Sequence, residues 1–415
     1  MLPVFLEAYM EYEVHPEKGM INRGNWARLK EVMRRAEAGD RITVGFIGGS
    51  ITQGAVASYH SNCYAHLVFE WFEKTFPKSA FTYVNAGIGG TSSQFGVARA
   101  DRDLLVYVPD IVFIEFSVND SNDDFHAETY EGLVRRIYGA NVKPAVILLH
   151  NIMYNTGDTA EEKHSMIGKH YNLPCISMRP TLYEEIRKKN INAREVTPDD
   201  LHPNTVGHAL VASVINDFLY KVYENRYEDE DGLSDSGFVG GVPIQGVKGE
   251  KADSPADEIK LPSPVTGNRY ENSRRIQNGI FFSNSADDSF ESHGFIPDEH
   301  FQRHLYEFAR NGWSAANKGE SIRFTAKASC LAVQFIRTVT QPAPICEAVI
   351  DGVSENAIVL DANFDETWGD CLYLKNLLVS DEVKEHTVEI KVTETHENDA
   401  SRFYLVSLIA SFGDK

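Results

Sequence analysis

The sequence predicts a flavodoxin-like three-layer α/β domain with a five-stranded parallel sheet, followed by a β-sandwich domain. In the first half of the 415 residues, short apolar runs alternate with segments whose apolar residues have helical spacing. That alternation is typical of a parallel sheet covered by helices on both faces. Beyond Gly267 the apolar residues recur with a period of two, and turn residues separate many short runs, which is typical of a sandwich.

The α/β domain is predicted to contain five strands and six helices. The strands are apolar runs at residues 42–47, 81–85, 111–116, 144–149 and 173–178. The helices are segments with a helical apolar period at residues 25–38, 64–76, 93–105, 130–138, 159–170 and 204–223. With right-handed crossovers, we expect the strand order 2-1-3-4-5.

The second half contains six short segments with strand character. They lie at residues 321–326, 331–337, 347–350, 357–360, 387–392 and 403–411. Asp351 and Gly352, between two of these segments, are typical of a tight hairpin turn. Trp313, which follows an Asn-Gly pair just before a strand, is interpreted as a core residue.

Between the two domains the composition changes. Glu228–Asp231 is an acidic run, and residues 232–264 are rich in Gly, Pro, Ser and charged residues, a composition typical of linkers. We therefore predict the α/β domain at residues 1–226, an acidic linker or strap at 227–264 and the sandwich at 265–415.

The composition disfavours several classes of protein. Hydrophobic residues make up 42% of the chain and charged residues 24%, as in soluble globular proteins. A net charge of −20 disfavours binding to nucleic acid and to anionic membranes, because backbone neutralisation requires clusters of Lys and Arg. No stretch approaches the roughly 20 apolar residues that a membrane-spanning helix needs.

The cysteines and the first residues favour a cytoplasmic location. Five cysteines without Cys-x-x-Cys spacing are typical of reduced thiols; a disulfide within the second domain is the alternative. The first residues lack the basic segment of a signal peptide, and their apolar run breaks at Glu7.

Four short segments carry residue types that ester cleavage requires. They are Gly48–Thr52, Asn85–Thr91, Val118–Asp120 and Asp199–Pro203. The first three directly follow predicted strands, and the fourth precedes the last predicted helix. Because chemistry in an open parallel sheet gathers outside the carboxyl ends of the strands, we expect the four segments to converge. Each segment alone is typical of an ordinary turn or helix start; the joint pattern favours a catalytic site.

Each of these segments can supply one catalytic function. A serine hydroxyl needs a base that takes its proton, and His202 is the candidate base for Ser50. Asp199 can accept the other imidazole proton, with Asp200 as the alternative. The backbone N–H groups of Ser50 and Gly90 and the side-chain amide of Asn119 can stabilise the tetrahedral oxyanion.

This mechanism gives a metal or an organic cofactor no task, so none is expected. The sequence also contains histidines that do not have metal-ligand spacing with other potential ligands. They are interpreted as surface or helix-end residues: His15, His60, His66, His164, His170 and His208.

These residues resemble the SGNH, or GDSL-like, hydrolase superfamily. Its four motif blocks contribute Ser, Gly, Asn and His in this order, with Asp three residues before His. The resemblance covers residues 40–223 and implies that Ser50 is the nucleophile of an SGNH hydrolase domain. Two positions depart from the family pattern: Gly49 stands where the family usually has Asp, and Ser117 stands where it usually has Gly.

An SGNH domain followed by a β-sandwich is similar to bacterial carbohydrate O-acetylesterases of the mannan and xylan deacetylase type. In those enzymes the sandwich is a carbohydrate-binding module. The resemblance implies a serine esterase whose partner is an acetylated oligosaccharide. Two alternatives are a lipase, thioesterase or arylesterase of the same superfamily and a carbohydrate-binding protein with an inactive hydrolase domain. The oligomeric state is left open, with a homodimer among the alternatives.

Trp368 is the candidate substrate-binding residue of the second domain. It lies in the polar loop 363–370, between two predicted strands. An aromatic ring on such a loop can stack on a sugar ring. The alternative is that Trp368 anchors the loop on the sandwich.

Overall fold

The computed structural model describes residues 12–227, 238–239, 242–243, 261–279, 285–300, 309–365 and 369–413. These residues form two compact units. The first contains the described residues up to Thr266, apart from Val97–Arg99, and the second those from Gly267 onward. Most of the predicted linker 227–264 lies outside the described residues. Within it, β7 (Phe238–Val239) and β8 (Val242–Pro243) form an antiparallel pair.

The first unit is built on a six-stranded sheet. Its strands are β1 (Met20–Asn22), β2 (Arg41–Gly48), β3 (Ala80–Gly87), β4 (Ile111–Glu115), β5 (Ala145–His150) and β6 (Cys175–Ser177). The order across the sheet is β3-β2-β4-β5-β6-β1. Strands β2 to β6 are parallel, so the five predicted strands and their order are confirmed. β1 adds an antiparallel edge strand to β6, and its three residues are too few to show a period.

Nine α-helices are described in the first unit. They are α1 (Ala27–Ala38), α2 (Ser50–Gln53), α3 (Tyr64–Thr75), α4 (Ser93–Asp103), α5 (Asp124–Tyr138), α6 (Glu161–His170), α7 (Glu184–Arg187), α8 (Ala193–Val196) and α9 (Thr205–Glu224). Helix α5 begins six residues before its predicted start, because Asp123 caps it by accepting the backbone N–H of His126 at 2.8 Å. None of the helices among the described residues is both long and apolar enough to cross a bilayer.

The central strands bury both of their faces. In β4, Ile111 and Phe113 join a core cluster with side chains of α1, α3 and α9. Val112 and Ile114 are just as buried but lie outside that cluster. On β5, Leu148 meets Gly168 of α6, where an added Cβ would lie 3.1 Å from the leucine. The sheet therefore has a helical layer on each side, as its apolar strands predict.

The register of three strands places their carboxyl ends at one level. Gly48, the last residue of β2, pairs with Gly87 of β3 on one side and with Glu115 of β4 on the other. Ser50, Gly90 and Asn119 follow these three ends in the sequence. The segments that carry them therefore leave the sheet at the same edge.

The second unit is one continuous antiparallel sheet of nine strands that folds into a sandwich. Its strands are β9 (Arg274–Ile276), β10 (Ser289–His293), β11 (Ile296–Pro297), β12 (Trp313–Ala315), β13 (Ser321–Arg337), β14 (Ile345–Ile350), β15 (Ile358–Asp361), β16 (Cys371–Glu394) and β17 (Phe403–Ser411). As predicted, Trp313 is a core residue, 1% exposed, with edge contacts to the rings of Phe290 and Phe324.

The long strand β13 pairs with β10, β16 and β17. Its pairing register with β16 shifts between Ala328 and Cys330. Before the shift the even-numbered residues Ile322 and Phe324 face the core; after it the odd-numbered Val333 and Phe335 do. The irregularity therefore keeps one apolar face inward although the residue parity changes.

All five cysteines are free thiols. Cys63, Cys175, Cys330 and Cys346 are buried, and Cys371 is partly exposed. The disulfide considered for the second domain is therefore not formed.

Candidate active site

Ser50 lies at a sharp turn between β2 and the four-residue helix α2. Gly49 is extended before it (φ −89°, ψ −149°), and Gly54 ends the helix in the left-handed region (φ +98°). The carbonyl of Ser50 accepts the N–H groups of Gly54 and Ala55 at 3.1 and 2.9 Å. The side chain of Ser50 is 8% exposed. The turn thus holds the hydroxyl in one place while leaving it accessible to a small reactant.

A chain of two hydrogen bonds joins Ser50, His202 and Asp199. The Nε2 atom of His202 lies 2.9 Å from the Ser50 Oγ, and its Nδ1 atom lies 2.6 Å from Asp199 Oδ2. Because a carboxylate only accepts hydrogen bonds, Nδ1 carries the proton and Nε2 accepts from the serine hydroxyl. His202 can therefore take the proton of Ser50 when that oxygen attacks.

Asp199 is kept ionised by the donors around it. Burial by itself raises the pKa of Asp199. The His202 side chain and the backbone N–H groups of His202 and Leu201 outweigh that effect, so the pKa lies below its ordinary value. The two N–H groups donate to Asp199 Oδ1 at 2.7 and 3.0 Å.

Asp200 has a different environment from Asp199. Its carboxylate accepts from Arg194 at 2.6 Å, and its carbonyl accepts the N–H of Tyr154 at 2.7 Å. Its φ of +66° is a left-handed conformation that aspartate tolerates better than most residues. The structure thus places Asp199, not the alternative Asp200, beside the imidazole.

The loop that carries His202 is held at the start of α9. Asn204 caps this helix by accepting the N–H of Gly207 at 3.0 Å, and its own N–H donates to the Val196 carbonyl at 2.8 Å. Gly207 has no room for a side chain, because an added Cβ would lie 2.3 Å from the same carbonyl. These contacts define the position of the imidazole relative to the sheet.

Asn119 packs directly on the backbone next to Ser50. A Cβ added to Gly49 would lie 2.0 Å from Asn119 Oδ1 and 3.3 Å from its Nδ2. Asn119 is partly exposed, and its N–H donates to the Phe116 carbonyl at 3.0 Å. Its side-chain amide is thus next to the turn that carries the serine, where an oxyanion would form.

Gly90 is held near the same turn through Gln53. The Gln53 side chain accepts the N–H of Gly89 at 2.7 Å. Gly90 has a φ of +69°, and a Cβ added to it would meet no atom within 4 Å. The glycine is therefore required by its left-handed backbone, and the space beside it is open.

Two of the histidines interpreted as surface or helix-end residues are buried, so that prediction is wrong for them. His208 accepts the N–H of Tyr64 at Nδ1 (3.2 Å), and its Nε2 lies 3.1 Å from the Ala55 carbonyl. Burial lowers the pKa of His208 to about 4. His164 is likewise 0% exposed, with its Nε2 3.1 Å from Asp120. Both residues are buried in the first turns of their helices, α9 and α6, and the spacing of histidines in the sequence does not reveal this burial.

Two further residues near the site, Gln53 and Glu115, were not predicted. Gln53 carries no signal in a single sequence. Glu115 does, because a carboxylate at the end of the otherwise apolar run Ile111–Phe116 is unusual in a buried strand. The structure places it 0% exposed beside α2.

Trp368 lies outside the described residues, so its role stays a prediction. In the part of the chain that the structure describes, no group of three or more His, Cys, Asp or Glu side chains could hold a metal ion.

The chain is similar to several known proteins. A model of the GDSL-like lipase/acylhydrolase family matches residues 46–210. The sequence is 28% identical over 186 residues to thioesterase 1/protease 1/lysophospholipase L1 of Escherichia coli (strain K12), a match that covers 43% of this chain and 82% of that protein.

Two solved structures match along nearly the whole chain. One is a two-domain esterase (CEX) active on acetylated mannans, co-crystallised with mannopentaose; it is 47% identical with a TM-score of 0.85. The other, a two-domain esterase (CEX) with the same described activity, is 48% identical with a TM-score of 0.86. Each match covers 97% of this chain and 100% of the other. The chain therefore belongs to the GDSL-like, or SGNH, hydrolase family and is a two-domain carboxylic ester hydrolase.

Proposed function

We propose that this chain removes O-acetyl groups from mannan- or xylan-type oligo- or polysaccharides through an acyl-enzyme intermediate. The observation that carries the proposal is the hydrogen-bonded chain from Ser50 through His202 to Asp199, beside the Asn119 amide. The similarity to two esterases active on acetylated mannans supports the choice of a carbohydrate substrate and favours mannan over xylan.

In the first half-reaction the Ser50 oxygen attacks the acetyl carbonyl carbon while its proton passes to His202 Nε2. The imidazolium that forms is stabilised by Asp199, which holds the Nδ1 proton. The negative charge on the carbonyl oxygen is met by the N–H groups of Ser50 and Gly90 and by the Asn119 amide. The proton on Nε2 then moves to the departing sugar oxygen, which leaves an acetyl group on Ser50.

In the second half-reaction water replaces the sugar. His202, again neutral, takes a proton from the water as its oxygen attacks the acetyl-serine carbonyl. The same three donors stabilise the second oxyanion. The intermediate breaks down to acetic acid, which ionises to acetate in solution, and the proton on Nε2 returns to the Ser50 oxygen.

A second candidate is a lipase, thioesterase or arylesterase that acts on non-carbohydrate esters. The similarity to the Escherichia coli thioesterase/lysophospholipase favours it. That match covers 43% of this chain, whereas the matches to the mannan esterases cover 97%. The carbohydrate substrate is therefore the better supported.

The decisive experiment compares acetylated manno- and xylo-oligosaccharides as substrates and follows acetate release by position-resolved NMR. The proposal expects release from mannan-type substrates and none with Ser50→Ala, whose acyl-enzyme cannot form. Removal of such a nucleophile costs on the order of 10⁶-fold in kcat.

Comparing p-nitrophenyl acetate with longer p-nitrophenyl esters separates the two candidates. Faster turnover of the long-chain esters, without acetate release from either oligosaccharide, would contradict the carbohydrate substrate. Activity that survives Ser50→Ala would contradict the mechanism itself. Activity that is lost on exhaustive chelation and restored by one metal would contradict a mechanism without a metal.

Three further expectations belong to this proposal. The second unit acts as a carbohydrate-binding module that holds the substrate. The enzyme works in the cytoplasm, where imported oligosaccharides would be its substrates and where its five free thiols would persist. A homodimer is one oligomeric state to test by light scattering.

A further inference from the structure

We propose that Glu115 is a positioning residue of the ester-cleaving site. Its side chain joins the helix that carries Ser50 to the turn that carries Asn119. The inference rests on the proposed function, because it assigns Ser50 and Asn119 to the reaction. It concerns a buried acid that the mechanism does not use and the family departure at Ser117.

Glu115 contacts both sides of the oxyanion site. Its Oε1 atom lies 3.0 Å from the Ser117 Oγ and accepts the Ser117 N–H at 3.2 Å. Its Oε2 atom lies 3.4 Å from the Oγ1 of Thr52. Thr52 is two residues after Ser50 on α2, and Ser117 is two residues before Asn119.

The glycine at 48 makes this connection possible. A Cβ added to Gly48 would lie 2.2 Å from the Thr52 Oγ1 and 2.4 Å from the Glu115 carbonyl. Any side chain there would push Thr52 away from β4. The departure from the family pattern at Ser117 supplies the matching hydroxyl on the other side of the Glu115 carboxyl.

Counting hydrogens indicates which form of Glu115 fits these contacts. The Ser117 Oγ lies 3.0 Å from Glu115 Oε1 and also 3.0 Å from the Asn151 carbonyl. The carbonyl has no hydrogen to give, so the single Ser117 hydrogen serves that contact. A protonated Glu115 can supply the hydrogen for its own contact with Ser117, so that both contacts of the Ser117 hydroxyl are satisfied, whereas an ionised Glu115 cannot.

With a neutral Glu115, the hydroxyl groups form one directional series. The Tyr64 hydroxyl, 2.7 Å from the Thr52 Oγ1, donates to Thr52, which donates to Glu115. Glu115 donates to Ser117, and Ser117 donates to the Asn151 carbonyl. Each group in this series gives one hydrogen, and the Ser117 N–H and the Asn151 side chain donate to the same carboxyl group.

Burial favours the same form. Glu115 is 0% exposed, and burial raises its pKa to about 7 although hydrogen bonds from Ser117, Asn151 and Thr52 lower it. Three tyrosines interact with it electrostatically: Tyr64 from α3, Tyr130 from α5 and Tyr154 after β5. Burial raises the pKa of each, so these phenols stay neutral while Glu115 titrates. Tyr130 also interacts with Asp120, and Tyr154 with Asp199.

With Glu115 ionised, the single Ser117 hydrogen can serve the carboxylate or the Asn151 carbonyl but not both, so one of the two contacts is lost. The turn that carries Asn119 would then be held less firmly against α2. Because Asn119 acts on the oxyanion and not on the bound substrate, the effect should fall on kcat and leave KM nearly unchanged.

The test measures kcat and KM on p-nitrophenyl acetate from about pH 6 to about pH 9. The wild-type kcat should fall as the pH rises above the pKa of Glu115. Glu115→Gln cannot ionise, so its kcat should show no such fall and should lie within about fivefold of wild type at about pH 6, the effect of one imperfect hydrogen bond. Ser117→Ala and Thr52→Val should each lower kcat about fivefold, because each removes one hydrogen bond to Glu115.

Glu131→Gln is the matched control. Glu131 is also a 0% exposed glutamate of the first unit, and it accepts the N–H groups of Val265 and Thr266 at 2.7 and 2.8 Å. Its substitution should leave the pH profile of kcat as in wild type. Thermal unfolding of each variant identifies any that fail to fold.

The inference is overturned if the wild-type kcat shows no fall above neutral pH or if Glu115→Gln shows the same fall as wild type. If Glu115→Gln does not fold, Ser117→Ala and Thr52→Val provide the test. The inference is then overturned if the kcat of both variants equals that of the control variant Glu131→Gln. Labelling with a fluorophosphonate separates the two proposals. Loss of labelling in Ser50→Ala supports the proposed nucleophile regardless of how Glu115 behaves.

Discussion

Gly49 and Asn119 are in direct contact, with no space between the glycine Cα and the amide for even one further carbon. A Cβ added to Gly49 would lie 2.0 Å from Asn119 Oδ1. With Asn119 in this position, a side chain at residue 49 would have to displace the amide.

Gly49→Ala should reduce activity while the protein remains folded. The atom in the way is the end of a side chain, so Asn119 can move aside at little cost to the fold, but it then leaves the oxyanion. We expect kcat to fall by about 10–100-fold, part of the effect of losing the donor altogether. Steady-state kinetics on p-nitrophenyl acetate measure the fall in kcat, and thermal unfolding shows whether the variant is folded. The double variant Gly49→Ala, Asn119→Ala should be no worse than Asn119→Ala alone, and additive losses would contradict the shared mechanism.

Asn119→Ala should lower kcat by roughly 10²–10³-fold with a smaller change in KM, because its amide acts on the developing oxyanion. Asn122→Ala is a suitable control, since Asn122 lies three residues on and is exposed. Steady-state kinetics on an acetyl ester distinguish the two parameters. A loss confined to KM would place Asn119 in substrate binding instead.

Asp199→Asn should be much more damaging than Asp200→Asn, although it should cost less than His202→Ala. An asparagine at 199 no longer stabilises the imidazolium and permits the wrong tautomer, whereas Asp200 pairs with Arg194 at 2.6 Å. The measurement is kcat for both variants on the same acetyl ester. Greater damage from Asp200→Asn would move the orienting role by one residue.

Glu115 should make the stability of the protein depend on pH. The pKa of Glu115 is about 7 in the folded state, whereas its ordinary value is 4.5. The contribution of Glu115 to stability is therefore fully present below about pH 4.5 and is lost as the pH rises through about 7. If the whole difference is expressed, the free energy of unfolding falls by roughly 3 kcal/mol. Urea unfolding of wild type and Glu115→Gln at about pH 5 and about pH 8.5 checks it. At the higher pH the free energy of unfolding should fall for wild type relative to Glu115→Gln. A difference between the two proteins that stays constant with pH would exclude this titration.

Trp368→Ala tests the candidate sugar contact of the second domain. If the ring stacks on the substrate, KM for acetylated oligosaccharides should rise several-fold, equivalent to about 1 kcal/mol. KM for p-nitrophenyl acetate should barely change, because that ester has no sugar for the ring to contact. Equal effects on both substrates, or a lower Tm alone, would mean that Trp368 only packs against its own domain.

The parallel sheet was predictable because its strands are continuous apolar runs that are buried on both faces. Residues 371–386 form a strand that apolar periodicity does not predict. They form the first part of β16, yet most of their side chains are exposed or partly exposed, and no regular apolar period marks them. Their strand conformation comes from pairing with β13, which lies far away in the sequence.

The candidate residues Ser50, Gly90, Asn119 and His202 were predictable from the sequence, because they follow strands or precede a helix whose apolar patterns are local. The neighbours that hold these residues in place depend on the tertiary structure. The choice of Asp199 over Asp200 depends on backbone conformation and on Arg194. The position of Glu115 between Thr52 and Ser117 depends on the register of β2 and β4. Local periodicity reports which face of an element is buried, whereas hydrogen bonds between distant segments exist only once the strands have paired.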